Sequence, residues 1–495
     1  MAGNALNRHI VMAAMMIATF LAAIEGTVVS TAMPAIVGDL FGLHLMNWVY
    51  SVYFLLSAIT VPVFGKLADL FGRKKIFIIG TFIFLIGSTL CGLSQTMEQL
   101  IAFRVIQGIG AGALLPVTTT IVADVYPYAQ RAKMLGFISL VWGISSIAGP
   151  LVGGFFVDQL TWHWIFFINI PFGITTVIMV TVFFREKLEV TQQRIDYAGA
   201  LTFSAGMFCL LYAFQKGGEG NGWAAPATFW LFMASSVLLA LFIRIQMKAE
   251  EPMIPLHLFR IRTISVANAI AFFVTAVLIG TTVYMPMWIQ GVLGHGATVS
   301  GFIVTPMSVL WTIASFLGGK LLLRKGVKFT AVLGIFFLLA GTCLLALITP
   351  STPLMVLPLI TAIQGIAFGF VITMTTVTVQ SAVDWSMRGV ATALNTFFRN
   401  LGQTVGVALL GTYFNARVTA QLTQRGADSD IGSEQINELI NPYNPQPLPE
   451  HLRNVLREAL VSGIHSVFTA LIAVSLIALL ITLLLPRQQS PRESS

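Results

Sequence analysis

Charge is scarce in this chain of 495 residues: Asp, Glu, Lys and Arg make up 10% of it, against 56% apolar residues. A soluble domain carries about 25% charged residues, so too little polar surface exists to cover a soluble globule of this size. Disorder is excluded by the same figures, because it requires low hydrophobicity and high charge. Cysteine is scarce too. Cys91, Cys209 and Cys343 each sit in an apolar run without CxxC spacing, which excludes a disulfide scaffold and a thiolate metal site. No GxxxxGK[ST] loop is present, so a nucleotide-driven pump would need a second chain. No short hydrophobic segment with a small-residue cleavage site opens the sequence, and the first apolar run is expected to stay as a helix.

Long apolar runs are what the sequence has. A spanning helix needs about 20 mainly apolar residues. Gly, Pro and charge divide the chain into fourteen such runs, near 10–35, 47–65, 75–95, 99–123, 134–157, 164–184, 197–215, 226–247, 265–290, 299–319, 329–349, 354–380, 389–415 and 461–485. The expectation is an all-α polytopic membrane protein with fourteen transmembrane helices. Lys and Arg set the orientation. With the N-terminus in the cytoplasm, 21 of the 28 basic residues fall in cytoplasmic segments. Five fall outside (Lys216, Arg417, Arg425, Arg453, Arg457), and Arg104 and Arg399 lie within spans. Both termini are therefore expected on the cytoplasmic side. A basic excess of this kind reads as orientation charge, and no basic stripe interleaved with aromatics suggests nucleic acid. The one long outer segment, 416–460, reads as a connector ending in an amphipathic stretch from His451 to Leu460, with a cap over an outward opening as the alternative.

The sequence also repeats itself. Ile106-Gln107-Gly108-Ile109 matches Ile363-Gln364-Gly365-Ile366 at an offset of 257, and the same offset carries Arg131 onto Arg388 and Gly149 onto Gly406. Gly65-Lys66-Leu67 with Gly72 and Lys74 matches Gly319-Lys320-Leu321 with Gly326 and Lys328 at an offset of 254. The halves read as parallel six-helix repeats: residues 1–190, then two inserted helices in 191–260, then 261–495. Parallel repeats place a substrate site near the midplane, between bundles that rock against one another.

These motifs resemble the major facilitator superfamily, and within it the fourteen-span drug:proton antiporters. Gly65-Lys66-Leu67-Ala68-Asp69-Leu70-Phe71-Gly72-Arg73-Lys74 is similar to the superfamily's loop 2–3 motif. Arg104 with Gln107-Gly108 and Gly112 resembles its span 4 motif, and Gly143 with Gly149-Pro150-Leu151-Val152-Gly153-Gly154 its antiporter motif. Trp48 with Tyr53, and Trp164-Ile165-Phe166-Phe167-Ile168-Asn169-Ile170-Pro171, resemble the fourteen-span branch. Two positions depart from it: Glu25 stands where Asp is usual, and His163 where Arg is usual. The resemblance implies a major facilitator fold, proton-coupled export by alternating access, no cofactor beyond the proton, and a monomer in a bacterial cytoplasmic membrane. It implies a proton-handling role for Arg104. It also implies a cytoplasmic clasp in which Asp69 faces a helix N-terminus and Arg73 pairs nearby.

Glu25 is the only acid deep in any run. A carboxylate there costs about 2.5–3.5 kcal/mol on insertion scales, so such a residue is a functional candidate by default. It can exchange a proton for a cationic substrate. A permanently paired structural Glu is the competing reading. Counted at 1.5 Å per residue from the outer ends of their runs, Arg104 lies roughly 9 Å deep and Glu25 roughly 15 Å, a gap an arginine side chain can bridge. Gly143, Gly149, Gly153 and Gly154 are spaced for close helix approach, and Pro150 bends that helix. Tyr53, Gln107, Tyr284, Met285, Trp288, Asn395 and Phe398 are the candidate cavity residues, since broad-specificity sites favour adaptable faces. Arg399 reads as a snorkelling charge or a handler of anions or protons.

The expected function is export of amphipathic cationic or zwitterionic compounds in exchange for protons. Alternatives on the same frame are carriers of metal cations, amino acids, lipids or siderophores, and outside it a membrane sensor. An enzyme is not expected, because no His, Cys or carboxylate cluster has ligand or triad spacing within the runs.

Overall fold

A computed structural model describes residues 2–126, 128–186, 196–217, 222–250, 252, 254, 256–383, 387–424 and 450–486. Fourteen long helices account for most of them. The first half holds α1 (Ala2–Leu40), α2 (Met46–Phe71), α3 (Arg73–Gly92), α4 (Met97–Val125), α5 (Tyr128–Gln159) and α6 (Trp164–Phe183). α6 is interrupted at Ile168, between Trp164–Phe167 and Asn169–Phe183. Next come α7 (Tyr197–Gly217) and α8 (Pro226–Lys248). The second half holds α9 (Arg262–Met287), α10 (Ala297–Lys325), α11 (Val327–Ala346), α12 (Val356–Ser381), α13 (Arg388–Gln424) and α14 (Glu450–Leu483). α9 runs on through a wide π turn, Trp288–Val292.

Thirteen of these helices are long and apolar enough to cross a membrane. α13 is the exception among the fourteen expected spans, because Asn395, Arg399, Asn400, Gln403, Thr404 and Asn415 dilute its apolar residues. It still packs as a core helix against α9, α2 and α14. The expected connector 416–460 is also shorter than its limits: α13 extends to Gln424 and α14 begins at Glu450. The amphipathic stretch before residue 461 is the first part of α14, with Leu456, Ala459 and Leu460 fully buried. Residues 425–449 lie outside the described residues.

The repeat read from the sequence is visible in the packing. α1 lies against α4, α5 and α6, α4 against α2 and α3, and α3 against α6; the same pairings recur among α9–α14. Matched residues make matched contacts. Gly72 (φ +96°) and Gly326 (φ +83°) each join two helices in the left-handed region that favours glycine. A Cβ at Gly108 would come within 2.8 Å of the Tyr53 carbonyl, and one at Gly365 would collide with the Met307 carbonyl. Lys74 Nζ donates to the Phe184 carbonyl at 2.9 Å and Lys328 Nζ to the Leu483 carbonyl at 2.8 Å, so each lysine caps the sixth helix of its own half. Gly72→Ala is expected to destabilise the protein by about 1–2 kcal/mol, read as a lowered melting temperature in detergent.

The halves meet through α5 against α10, α2 against α13, and α1 against α9. Five hydrogen bonds tie them at the end where α9 turns into α10. The backbone N–H groups of Ala297 and Thr298, at the start of α10, donate to Asp158 Oδ1 and Oδ2 at 3.0 and 2.8 Å. Gln290 Nε2 donates to the Thr31 carbonyl at 2.9 Å, Tyr284 Oη to Asn47 Oδ1 at 3.2 Å, and Asn415 Nδ2 to the His44 carbonyl at 3.3 Å.

Candidate functional site

Glu25 has no exposed surface and Arg104 is 1% exposed; they are the only charged side chains fully buried among the described residues. The structure brings them together. Arg104 Nη1 donates to Glu25 Oε1 and, at 2.8 Å, to Gln107 Oε1, which shares its face of α4 by the i, i+3 spacing. Arg104 Nε donates to the Val49 carbonyl at 3.2 Å, and the guanidinium lies 4.1 Å from the centre of the Tyr53 ring. The other carboxylate oxygen of Glu25 accepts from Asn169 Nδ2 at 3.0 Å. Asn169 also donates to Ser88 Oγ at 2.9 Å, and that hydroxyl donates to the Phe166 carbonyl at 2.8 Å. Cys91 Sγ lies 3.6 Å from Gln107 Oε1. Five of the six helices of the first half thus converge on one ion pair.

Burying two charges is costly, and the cost is recovered only where geometry and further hydrogen bonds are good. Here both carboxylate oxygens are bonded, and the guanidinium is held by two oxygens besides Glu25 and by an aromatic face. Satisfaction is nevertheless incomplete. Tyr50 Oη, Gln107 Nε2 and Asn169 Oδ1 are buried with no hydrogen-bond partner, although such groups cost about 1–3 kcal/mol each. A Cβ at Gly26, beside Glu25, would meet nothing within 4 Å. Unused buried donors and acceptors are where water or a ligand group is accommodated.

The substrate candidates divide. Tyr53 and Gln107 belong to the Arg104 cluster. Tyr284, Met285 and Trp288 are fully enclosed: the Tyr284 hydroxyl is committed to Asn47, and Trp288 stacks on His465 at 5.3 Å. Asn395 is buried with its Nδ2 donating to Asn268 Oδ1 at 2.9 Å, and Phe398 packs edge-on against Phe259 and Phe397. The structure therefore does not gather the seven residues into one cavity. Arg399 is also buried in part, its Nε without a partner, while its carbonyl accepts from Thr275 Oγ1 at 2.9 Å.

The glycines of α5 are contact points. A Cβ at Gly153 would lie 2.8 Å from the Val28 carbonyl of α1, and one at Gly149 would collide with Thr27. Across the halves, a Cβ at Gly154 would lie 2.7 Å from the Ala297 carbonyl and one at Gly143 2.9 Å from Thr312 Oγ1. The Pro150 carbonyl rests against Gly301 of α10. Gly65 differs: a Cβ there would meet nothing within 4 Å.

At the α2–α3 turn, Arg73 pairs with Asp124 at the end of α4. The acid at the α3 N-terminus is Glu186, whose oxygens accept from the Arg73 and Lys74 backbone N–H groups at 2.6 and 3.0 Å. The resemblance implies only that Asp69 faces a helix N-terminus, without naming α3. Asp69 lies on α2, and its side chain is outside the described ones. The anion-favouring helix terminus has thus been filled by an acid 113 residues from Arg73 in sequence.

Sequence reasoning missed several members of these networks, Glu186 and Asp124 among them. Asn169 and Ser88 are neutral, and no spacing links them to Glu25. Asp158 is a lone acid at a helix end, and only the second half reveals its partner.

The family model of the Major Facilitator Superfamily matches residues 15–407. The chain is 34% identical to the Multidrug transporter protein MdtP of Bacillus subtilis, over 99% of this chain and 96% of that one. It is 35% identical to Multidrug resistance protein 3 of the same organism, covering 94% and 93%, and 29% identical to the Multidrug export protein EmrB of Haemophilus influenzae, covering 87% and 83%. Among solved structures, a bacterial homolog of the human lysosomal transporter Spinster, inward-facing and unoccupied, aligns with a TM-score of 0.68 at 17% identity over 98% of this chain and 99% of that one. That likeness concerns the fold. By its helices, its packing and these relatives, the chain belongs to the major facilitator superfamily and is a membrane transporter, not an enzyme.

Proposed function

We propose that this transporter exports amphipathic cationic or zwitterionic compounds in exchange for protons, with Glu25 as the proton carrier. One observation carries the reading: the only fully buried carboxylate among the described residues is paired with the only fully buried cation. A proton on Glu25 removes the charge that attracts Arg104, yet Arg104 keeps Gln107, Val49 and Tyr53 as partners. Glu25 sits on α1, which also contacts α9 and α10 of the other half, so a change at the carboxyl reaches the interface that must move. Arg104 sets how readily the proton is held. The similarity to bacterial and fungal proteins named as multidrug transporters and efflux pumps supports export of drug-like compounds.

The basic residues support the orientation with both termini in the cytoplasm of a bacterial cell. The hydrogen-bonded end of the half interface is then the outer one, and the conformation is closed toward the outside. The transporter acts as a monomer with no cofactor other than the proton. The deciding experiment adds an ethidium-like cation to proteoliposomes under an imposed pH gradient and follows protons, wild type beside Glu25→Gln. Equal proton movement in both proteins would refute the reading.

Asp158 is the outer latch in this scheme. Asp158→Ala deletes two charge-assisted bonds worth about 1.5–3 kcal/mol each, so the outward-open population is expected to rise at least tenfold. Spin labels at exposed Leu160 and Leu347, in a cysteine-replaced background, would show a longer distance appearing. Unchanged distances would make the contact incidental.

A further inference from the structure

One groove lies apart from the Glu25 site and from the interface between halves. It opens between α13, α14 and the α11–α12 connection, and encloses about 760 Å³. Tyr413, Arg417, Arg457, Ser462, His465 and Ser466 supply its polar wall. Glu458 is its one carboxylate against two guanidinium groups.

Both arginines are held in place with donors to spare. Arg417 Nη2 donates to Tyr413 Oη at 3.2 Å, and its guanidinium lies 5.3 Å from the centre of that ring. Arg457 Nε donates to the Val292 carbonyl at 2.7 Å. A guanidinium carries five N–H donors, so each keeps several for a ligand. His465 forms the floor, its ring stacked on the buried Trp288.

Pro350, in the short connection between two spans, lines the rim, flanked by Leu347 and Met355, which are 73% and 82% exposed. The rim thus joins a basic wall to exposed apolar side chains. From Arg457 the lining descends α14 to Thr469, roughly 18 Å at 1.5 Å per residue, into the level of the hydrocarbon. Arg417 and Arg457 also lie on the side that the orientation rule keeps poor in basic residues, where only five of 28 are found.

We propose that this groove binds an anionic phospholipid, its phosphate ester held by Arg417 and Arg457 and its glycerol and upper chains lying along α14 toward Thr469. The volume is in the range of small-molecule sites, and paired guanidinium groups suit a phosphate through forked hydrogen bonds. A free phosphate ester shares the headgroup chemistry but has nothing to place along α14. Assignment to the outer leaflet rests on the orientation proposed above; binding itself rests only on the groove.

The test uses the full chain in neutral detergent, with retained lipid counted by native mass spectrometry, so it is independent of transport. Phosphatidylglycerol is expected to be retained over phosphatidylcholine, and glycerol 1-phosphate at the same concentration is expected not to compete. Each arginine near a membrane surface contributes about fivefold in affinity for anionic lipid. Arg417→Gln and Arg457→Gln should each weaken retention about fivefold, and the double variant roughly 25-fold. Arg453→Gln removes an equal charge from the same helix outside the lining, and should leave retention unchanged. The single variants carry the test if the double variant does not fold. Equal retention of the two lipids, an Arg453→Gln effect as large as that of the other two, or full competition by glycerol 1-phosphate would each overturn the assignment.

Discussion

In proteoliposomes, Glu25→Gln is expected to abolish substrate-driven proton movement while the protein still inserts and binds substrate, with a lowered melting temperature because Arg104 loses its counter-ion. Gln preserves the shape of the side chain, and its carbonyl can accept from Arg104 or from Asn169, but it neither carries a charge nor exchanges a proton at physiological pH. The coupled flux should fall to the background of empty vesicles, because the described residues hold no second fully buried carboxylate to replace it. Glu25→Asp separates position from charge. It restores the residue usual in the resembled family and keeps the carboxylate, one methylene further from Arg104 and Asn169. Reduced but measurable coupling is expected from it. A Glu25→Gln protein that couples like wild type would make Glu25 a structural residue, and a neutral substrate or a facilitator would become the better reading.

The meeting of Glu25 and Arg104 was legible in the sequence because helices have a fixed rise, so depth can be counted from the ends of two apolar runs. The duplication was legible for a similar reason: glycines required by close backbone contact, such as Gly108 and Gly365, stay in register when a half is copied. What escaped was whatever depends on a third element. Asn169 reaches Glu25 only because α6 breaks at Ile168 and restarts against α1 and α3. Glu186 reaches the α3 N-terminus only because α6 returns to the same end of the bundle. α13 was legible as the run 389–415 and is a helix, Arg388–Gln424, although hydropathy alone omits it. Hydropathy measures a helix against lipid, whereas much of this helix faces other helices, and it is too polar for that measure. The enclosed Tyr284, Met285 and Trp288 show the limit of composition: an adaptable apolar side chain serves a cavity or a packed interior equally well.

Removing the other partner tests the pair itself. Arg104→Gln leaves Glu25 buried without its cation, and breaking one side of a buried ion pair costs about 3–5 kcal/mol. A loss of this size is a large part of the stability of an ordinary domain, so the variant is expected to melt far below wild type, or to take up a proton at Glu25 and lose coupling instead. The double variant Arg104→Gln/Glu25→Gln discriminates. With both charges gone the two amides can bond to each other and to Asn169, and much of the stability should return while coupling stays absent. Thermal unfolding of the four proteins in one detergent gives the interaction energy of the pair. Strong rescue would mean that the bundle tolerates a neutral centre and keeps the charges for transport. Without rescue, Arg104 would be held for its bonds to Val49 and Gln107 and its packing on Tyr53, and its charge would be secondary to its shape.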